Sequence, residues 1–172
     1  MRKLITITTT LFLSIAAFAQ VRTYGDMETK TFVIGLSVYY FGDTGTLTLS
    51  PGSTVNVSNH RVVSGGQVLL ENAPAGNTLI GAHDFTDDGT PELVVATRGE
   101  GMVKAQIYRL SGGTWEQIGT VGARGDVEEI RVFRQALTVK DKTSGTLYTW
   151  TCHNGRFDFK SSAGGPDPAL GL

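Results

Sequence analysis

Cysteine is almost missing from this 172-residue chain, in which Cys152 is the only one. A single thiol cannot close an internal disulfide, so the domain has no covalent framework of its own. Cys152 stands within an apolar β-type run, where the expected role is that of a small buried hydrophobe. Histidine is nearly as scarce. His60, His83 and His153 are too scattered for a local zinc motif, and His83, next to Asp84, is expected as a solvated loop residue. Neighbours on a strand point to opposite faces, so Cys152 and His153 do not form a thiol–imidazole pair. Charge of one sign is lacking too. Fifteen basic side chains against sixteen acidic ones leave a net charge of −1, without the electrostatic footprint of a nucleic-acid or anionic-membrane binder. No Gly-x-Ser-x-Gly, His-Glu-x-x-His or phosphate-binding loop occurs. No window of about twelve residues carries a 3.6-residue apolar stripe with both caps, which argues against a helical fold.

A long hydrophobic run is also absent. Leu4 to Ala19 falls short of the roughly 20 residues a membrane-spanning helix needs, and threonines dilute it. Arg2 and Lys3 precede it and the small-x-small pattern Ala17-Phe18-Ala19 ends it, so residues 1–19 read as a bacterial-type signal peptide that leaves Gln20 as the first mature residue. The expectation is an exported protein, periplasmic or extracellular, that does not span the membrane after processing. No cysteine stands near the cleavage point to carry a lipid anchor. The sequon Asn56-Val57-Ser58 matters only in a eukaryotic secretory route. The rest of the chain suits one domain with a core of its own, expected over 20–160. Residues 161–172 (SSAGGPDPALGL) show no pattern and are expected to be a disordered tail.

Glycine is abundant, at 22 residues, and it punctuates short β-branched and aromatic runs, which is the all-β signature. Thr31 to Phe41 (TFVIGLSVYYF) is expected as one strong strand, with Tyr39 and Tyr40 facing opposite ways. Thr46 to Leu49 and Thr54 to Ser58 alternate across Ser50-Pro51-Gly52-Ser53. Arg61 to Val63 and Gln67 to Leu70 flank Ser64-Gly65-Gly66. Further hairpins are expected for Val103 to Tyr108 with Trp115 to Ile118, for Glu129 to Val132 with Leu137 to Lys140, and for Gly145 to Cys152 with Phe157 to Phe159. The last turns at Asn154-Gly155, the strongest two-residue hairpin signal. Antiparallel hairpins of this kind build a β-sandwich or a partial β-propeller-like domain.

The one stretch with a chemical accent runs from Asp84 to Val95 (DFTDDGTPELVV). Oxygen-bearing side chains recur at positions 84, 86 and 88, Gly89 follows, and Glu92 introduces an apolar strand. Together with Ile107 to Trp115 and Trp150 to Phe157, this stretch resembles the FG-GAP/VCBS-like β-propeller repeat over residues 84–159, roughly half of the mature chain. The resemblance implies that the loop can hold calcium. The ligands it implies are the side chains of Asp84, Thr86, Asp88 and Glu92 and the carbonyl of Thr90. Thr86 stands where the family has Asp or Asn, which removes a formal charge and weakens such a site. Read without metal, the same residues form a turn in which Asp84 and Asp88 cap backbone N–H groups. A closed propeller needs about four or more blades of four strands. This chain offers strands for two or three sheets and residues 21–82 do not repeat the acidic loop, so a sandwich-like single domain is favoured.

These observations point to an exported, non-enzymatic binding module, with a protein or glycan as partner and calcium as a cofactor the loop can hold. A carbohydrate- or cell-surface-binding module would use Tyr39, Tyr40, Trp115, Tyr148 and Trp150 as an exposed aromatic surface, although such residues are more often core or cross-strand pairs. A hydrolase would need two of Asp87, Asp88 and Glu92 to flank a substrate at a defined separation.

Overall fold

A computed structural model describes residues 32–50, 53–99, 101–124, 130–140 and 145–162. The expected signal peptide lies outside the described residues. Among the described residues, fourteen strands follow in chain order: β1 (Val33–Ile34), β2 (Val38–Phe41), β3 (Gly45–Ser50), β4 (Ser53–Ser58), β5 (Arg61–Ser64), β6 (Gln67–Leu70), β7 (Thr78–His83), β8 (Glu92–Gly99), β9 (Met102–Ser111), β10 (Thr114–Arg124), β11 (Ile130–Phe133), β12 (Ala136–Lys140), β13 (Leu147–His153) and β14 (Arg156–Ser162). No helix occurs among the described residues, and the all-β expectation holds.

Three successive antiparallel meanders form three sheets. The distal sheet is β3-β4-β5-β6, the central sheet β10-β9-β8-β7-β2 and the terminal sheet β1-β11-β12-β13-β14. Their order in space follows from the core. One apolar cluster joins Leu79, Val94, Ala96, Ala105 and Ile107 of the central sheet to Ile130, Leu137, Val139 and Trp150 of the terminal sheet. A second joins Ile80, Leu93, Val95 and Tyr108 of the central sheet to Leu47, Val55, Val57 and Val62 of the distal sheet. The central sheet is therefore buried on both faces and the stack is sandwich-like. This explains the unbroken apolar run Leu93-Val94-Val95-Ala96. Alternate residues enter different cores, so neither face has to be polar.

The N-terminal segment departs from the expected single strand. Residues 31–41 were expected to run straight through, but the chain forms β1, turns at Gly35, and resumes as β2. Gly35 takes φ +91°, and a Cβ there would lie 2.2 Å from the Val132 carbonyl oxygen. Such a close backbone approach in the left-handed region admits only glycine. The break moves the chain between sheets. β1 pairs in parallel with β11 (Val33↔Ile130), whereas β2 pairs antiparallel with β7 (Tyr40↔Ile80). Tyr39 and Tyr40 then face opposite ways as alternation requires, Tyr39 packing on the first cluster and Tyr40 on the second.

The hairpins fall where turn chemistry places them. Gly65-Gly66, Gly112-Gly113 and Asn154-Gly155 all have two consecutive positive φ values, the type I′ geometry that suits strand twist. The turn expected over Phe133 to Ala136 narrows to Arg134-Gln135. β10 runs well past Ile118, and a bulge between Gln117 and Gly119 adds one residue and reverses its facing. Trp115 accordingly joins the second cluster, while Val121 joins the first. β14 continues through Ser162, so Ser161 and Ser162 belong to a strand, and the rest of the expected tail lies outside the described residues.

Candidate functional site: the acidic loop between β7 and β8

Residues 84–91 connect β7 to β8, closing a register in which His83 stands opposite Glu92. The loop folds on its own carboxylates. Asp84 accepts the Asp88 N–H through Oδ1 at 3.2 Å and the Gly89 N–H through Oδ2 at 2.8 Å. Asp88 accepts the Thr90 N–H at 2.8 Å, and this bond holds its carboxyl below the ordinary value of 3.8. The chain reverses through Asp87 (φ +60°) and Gly89 (φ +83°). Short acidic side chains suit this task because they hydrogen-bond backbone two to five residues on without leaving the turn.

Glu92 behaves differently. It is 1% exposed and hydrogen-bonded on both oxygens. Oε2 accepts the Phe85 N–H at 2.9 Å. Oε1 accepts the Thr86 hydroxyl at 3.1 Å together with Arg109 Nε at 3.3 Å and Nη2 at 3.2 Å. A buried carboxylate is tolerated only with such compensation. Arg109 comes from β9, where the pairing Leu93↔Tyr108 places it beside Glu92. Its side chain is one-third exposed, and a Cβ on Gly155 would come within 2.5 Å of its Nη1. The guanidinium therefore lies directly against the β13–β14 turn of the terminal sheet.

The neighbourhood is otherwise apolar. Phe85 is fully buried and meets His83 (4.8 Å between centroids) and Phe157 (5.1 Å) edge to face. His83, expected as a solvated loop residue, is instead tied in place. Its Nε2 stands 2.8 Å from the Arg134 carbonyl oxygen and its Nδ1 3.2 Å from the Ser37 hydroxyl. A carbonyl can only accept, so Nε2–H donates to it. Cys152 is buried and its neighbour His153 is exposed, on opposite faces as expected. Burial pushes the Cys152 thiol pKa up and the charge of Glu92 adds to this, while Arg109 opposes it.

The structure thus places Asp84, Thr86, Asp88 and Thr90 in one loop and Glu92 at the first position of β8 beside it. Calcium asks for six to eight oxygens converging on a point, and these residues do not fit that demand. Asp84 and Asp88 turn their oxygens onto backbone N–H groups of the loop, and Glu92 has its oxygens taken by the Phe85 N–H, the Thr86 hydroxyl and Arg109. Among the described residues, no three His, Cys, Asp or Glu side chains form a group that could hold a metal ion. The arrangement is a turn in which Asp84 and Asp88 cap backbone N–H groups. Arg109 and Phe85 were not foreseen. Arg109 lies seventeen residues from its partner with no spacing motif between them, and Phe85 occupies the odd position between two expected ligands.

A scan of protein-family models gives no match, and no curated protein or solved structure shows significant similarity to the chain.

The remaining candidate groups are mostly structural. Trp115 is buried, donating Nε1–H to Ser64 Oγ at 2.9 Å, while Gln67 brackets its backbone N–H and carbonyl. Trp150 is buried as well. Tyr148 stacks on Phe159 with ring centroids 6.3 Å apart and planes 22° apart, and Phe159 is 56% exposed. Asp87 is exposed, so the three carboxylates weighed for hydrolysis occupy unlike settings: solvent, a backbone cap and a buried ion pair. At the other end of the stack, Asp43, Asn59, His60, Pro74 and Thr78 line a cleft of about 300 Å³. Asp43 accepts the Gly76 N–H there, and His60 Nδ1 lies 3.2 Å from the Ala73 carbonyl oxygen.

Proposed function

We propose that this chain is an exported, non-enzymatic interaction module that recognises its protein or glycan partner along β14 rather than through the acidic loop. The observation that carries this reading is Phe159. It is the most exposed large hydrophobic residue described, it lies on the last strand of the terminal sheet, and it is stacked on Tyr148 and tilted against Trp150. An edge strand offers unpaired backbone groups, and an exposed aromatic beside them supplies an anchor. Asp84, Asp88 and Glu92, by contrast, are engaged within the fold, which leaves little there for a substrate. The succession of three four-stranded meanders is in keeping with the likeness to FG-GAP/VCBS-like blades.

The test is photocrosslinking from position 159 in the exported protein inside its native envelope, with Val68 on the distal sheet (42% exposed) as the control position. One saturable adduct at 159, missing at 68, is expected. Equal labelling at both positions, or none at either, would refute the β14 surface. The near-parallel Tyr148–Phe159 pair also favours a second reading, a carbohydrate platform, since flat aromatic faces suit sugar rings. Glycan-array binding that vanishes in Phe159→Ala would decide for it.

A further inference from the structure

We infer that Arg109 is the permanent cation of the acidic loop, standing in for the calcium that the sequence resemblance implies, and that it latches this loop to the β13–β14 hairpin of the neighbouring sheet. This inference is independent of the partner reading above. Three observations converge on it. First, Glu92, the residue that would close a calcium cage, is fully buried and spends one oxygen on two guanidinium nitrogens of Arg109. Second, the same oxygen accepts the Thr86 hydroxyl and the other accepts the Phe85 N–H, so loop backbone, loop side chain and cation meet on a single carboxylate. Third, the far side of the guanidinium rests on Gly155, where a Cβ would collide with it.

The chemistry differs from that of an ion in a defined way. A calcium ion stabilises in proportion to its concentration over its dissociation constant. A guanidinium tethered by β9 is always charged and always present. Its Nε and Nη2 bond Glu92 while Nη1 lies against the glycine turn, so one side chain joins a loop of the central sheet to a hairpin of the terminal sheet. Loop geometry should therefore be indifferent to the calcium level of the compartment into which the protein is exported.

The mature chain is melted in millimolar calcium, which saturates sites of about 10⁻⁴ to 10⁻³ M affinity, and again in chelator. The wild type is expected to melt at the same temperature in both. Arg109→Gln strands a buried carboxylate and is expected to melt roughly 6 to 20 °C lower in both. Adding Glu92→Gln to it should recover part of that loss, because no charge is left unpaired. A wild-type melting temperature that rises with calcium, and loses that rise in Asp88→Asn, would overturn the inference. An Arg109→Gln variant that melts with the wild type would overturn it equally. Should Arg109→Gln fail to fold while the double variant folds, the stranded charge is again the cause, and the wild-type comparison needs no variant at all.

Discussion

Phe85→Ala tests most directly how the acidic loop is anchored. Phe85 lies between two oxygen-bearing residues, yet it is the loop's contribution to the core between the central and terminal sheets. It is 0% exposed and belongs to the first apolar cluster. One edge meets His83 of β7 and another meets Phe157 of β14, while its N–H feeds Glu92. Truncating a buried Phe to Ala costs about 3–5 kcal/mol, counting lost transfer energy and the cavity left behind. Within that sum, each edge-to-face contact carries about 0.5–1.5 kcal/mol. A domain of this kind has about 5–15 kcal/mol of stability altogether, so the change removes a large share of it. The melting temperature should fall by roughly 6–20 °C, at about 2–4 °C per kcal/mol for a chain of this size. Urea unfolding followed by tryptophan fluorescence is a suitable assay, since Trp115 and Trp150 are both buried and report exposure. A double-mutant cycle with Phe157→Ala should return a coupling of about 0.5–1.5 kcal/mol. A Phe85→Ala cost under about 1 kcal/mol, with an unchanged denaturant slope, would refute the view of Phe85 as the wedge between sheets.

Two further perturbations address the N-terminal crossover and the lone thiol. Gly35→Ala places a Cβ 2.2 Å from the Val132 carbonyl oxygen at φ +91°. It should cost about 1–3 kcal/mol in backbone strain or more, and it should dislodge β1. Hydrogen exchange at the Ile130 amide, which donates to the Phe32 carbonyl at 2.7 Å, should accelerate, and unchanged protection there would contradict the crossover. Cys152 should resist thiol reagents in the native state and react on unfolding. Its pKa is raised by burial above the ordinary 9.0, so the folded chain keeps a proton that the unfolded chain releases. That contribution to stability is fully present below pH 9.0 and is lost as pH climbs past it. Cys152→Ala should flatten the alkaline fall in melting temperature, and an equally steep fall without the thiol would disprove the assignment.

Much of this fold is written in local patterns. Asn154-Gly155 and Gly65-Gly66 demand φ values that only a tight hairpin turn uses, so the turns were readable without knowing what the strands pack against. Strand alternation likewise separated Tyr39 from Tyr40 and Cys152 from His153, because the two-residue period belongs to the backbone itself. The turn at Asp84 to Thr90 was readable for the same reason, since short acidic side chains reach only nearby N–H groups. What the sequence could not show is everything decided across layers. Gly35 looks like a flaw in one strand until β11 is beside it and Val132 leaves no space for a Cβ. The bulge after Gln117 obeys no local signal, and it matters only because Trp115 and Val121 must enter different cores. Glu92 read as a ligand because the resemblance to the FG-GAP/VCBS-like loop implies one at that position. Its actual partner is set by the register of β8 on β9 and by the hairpin of another sheet closing over the pair. Local sequence determines where the backbone bends and which way each side chain points. Only the stacking of sheets decides which charges are buried, and a buried charge takes as partner whatever cation that stacking brings within reach.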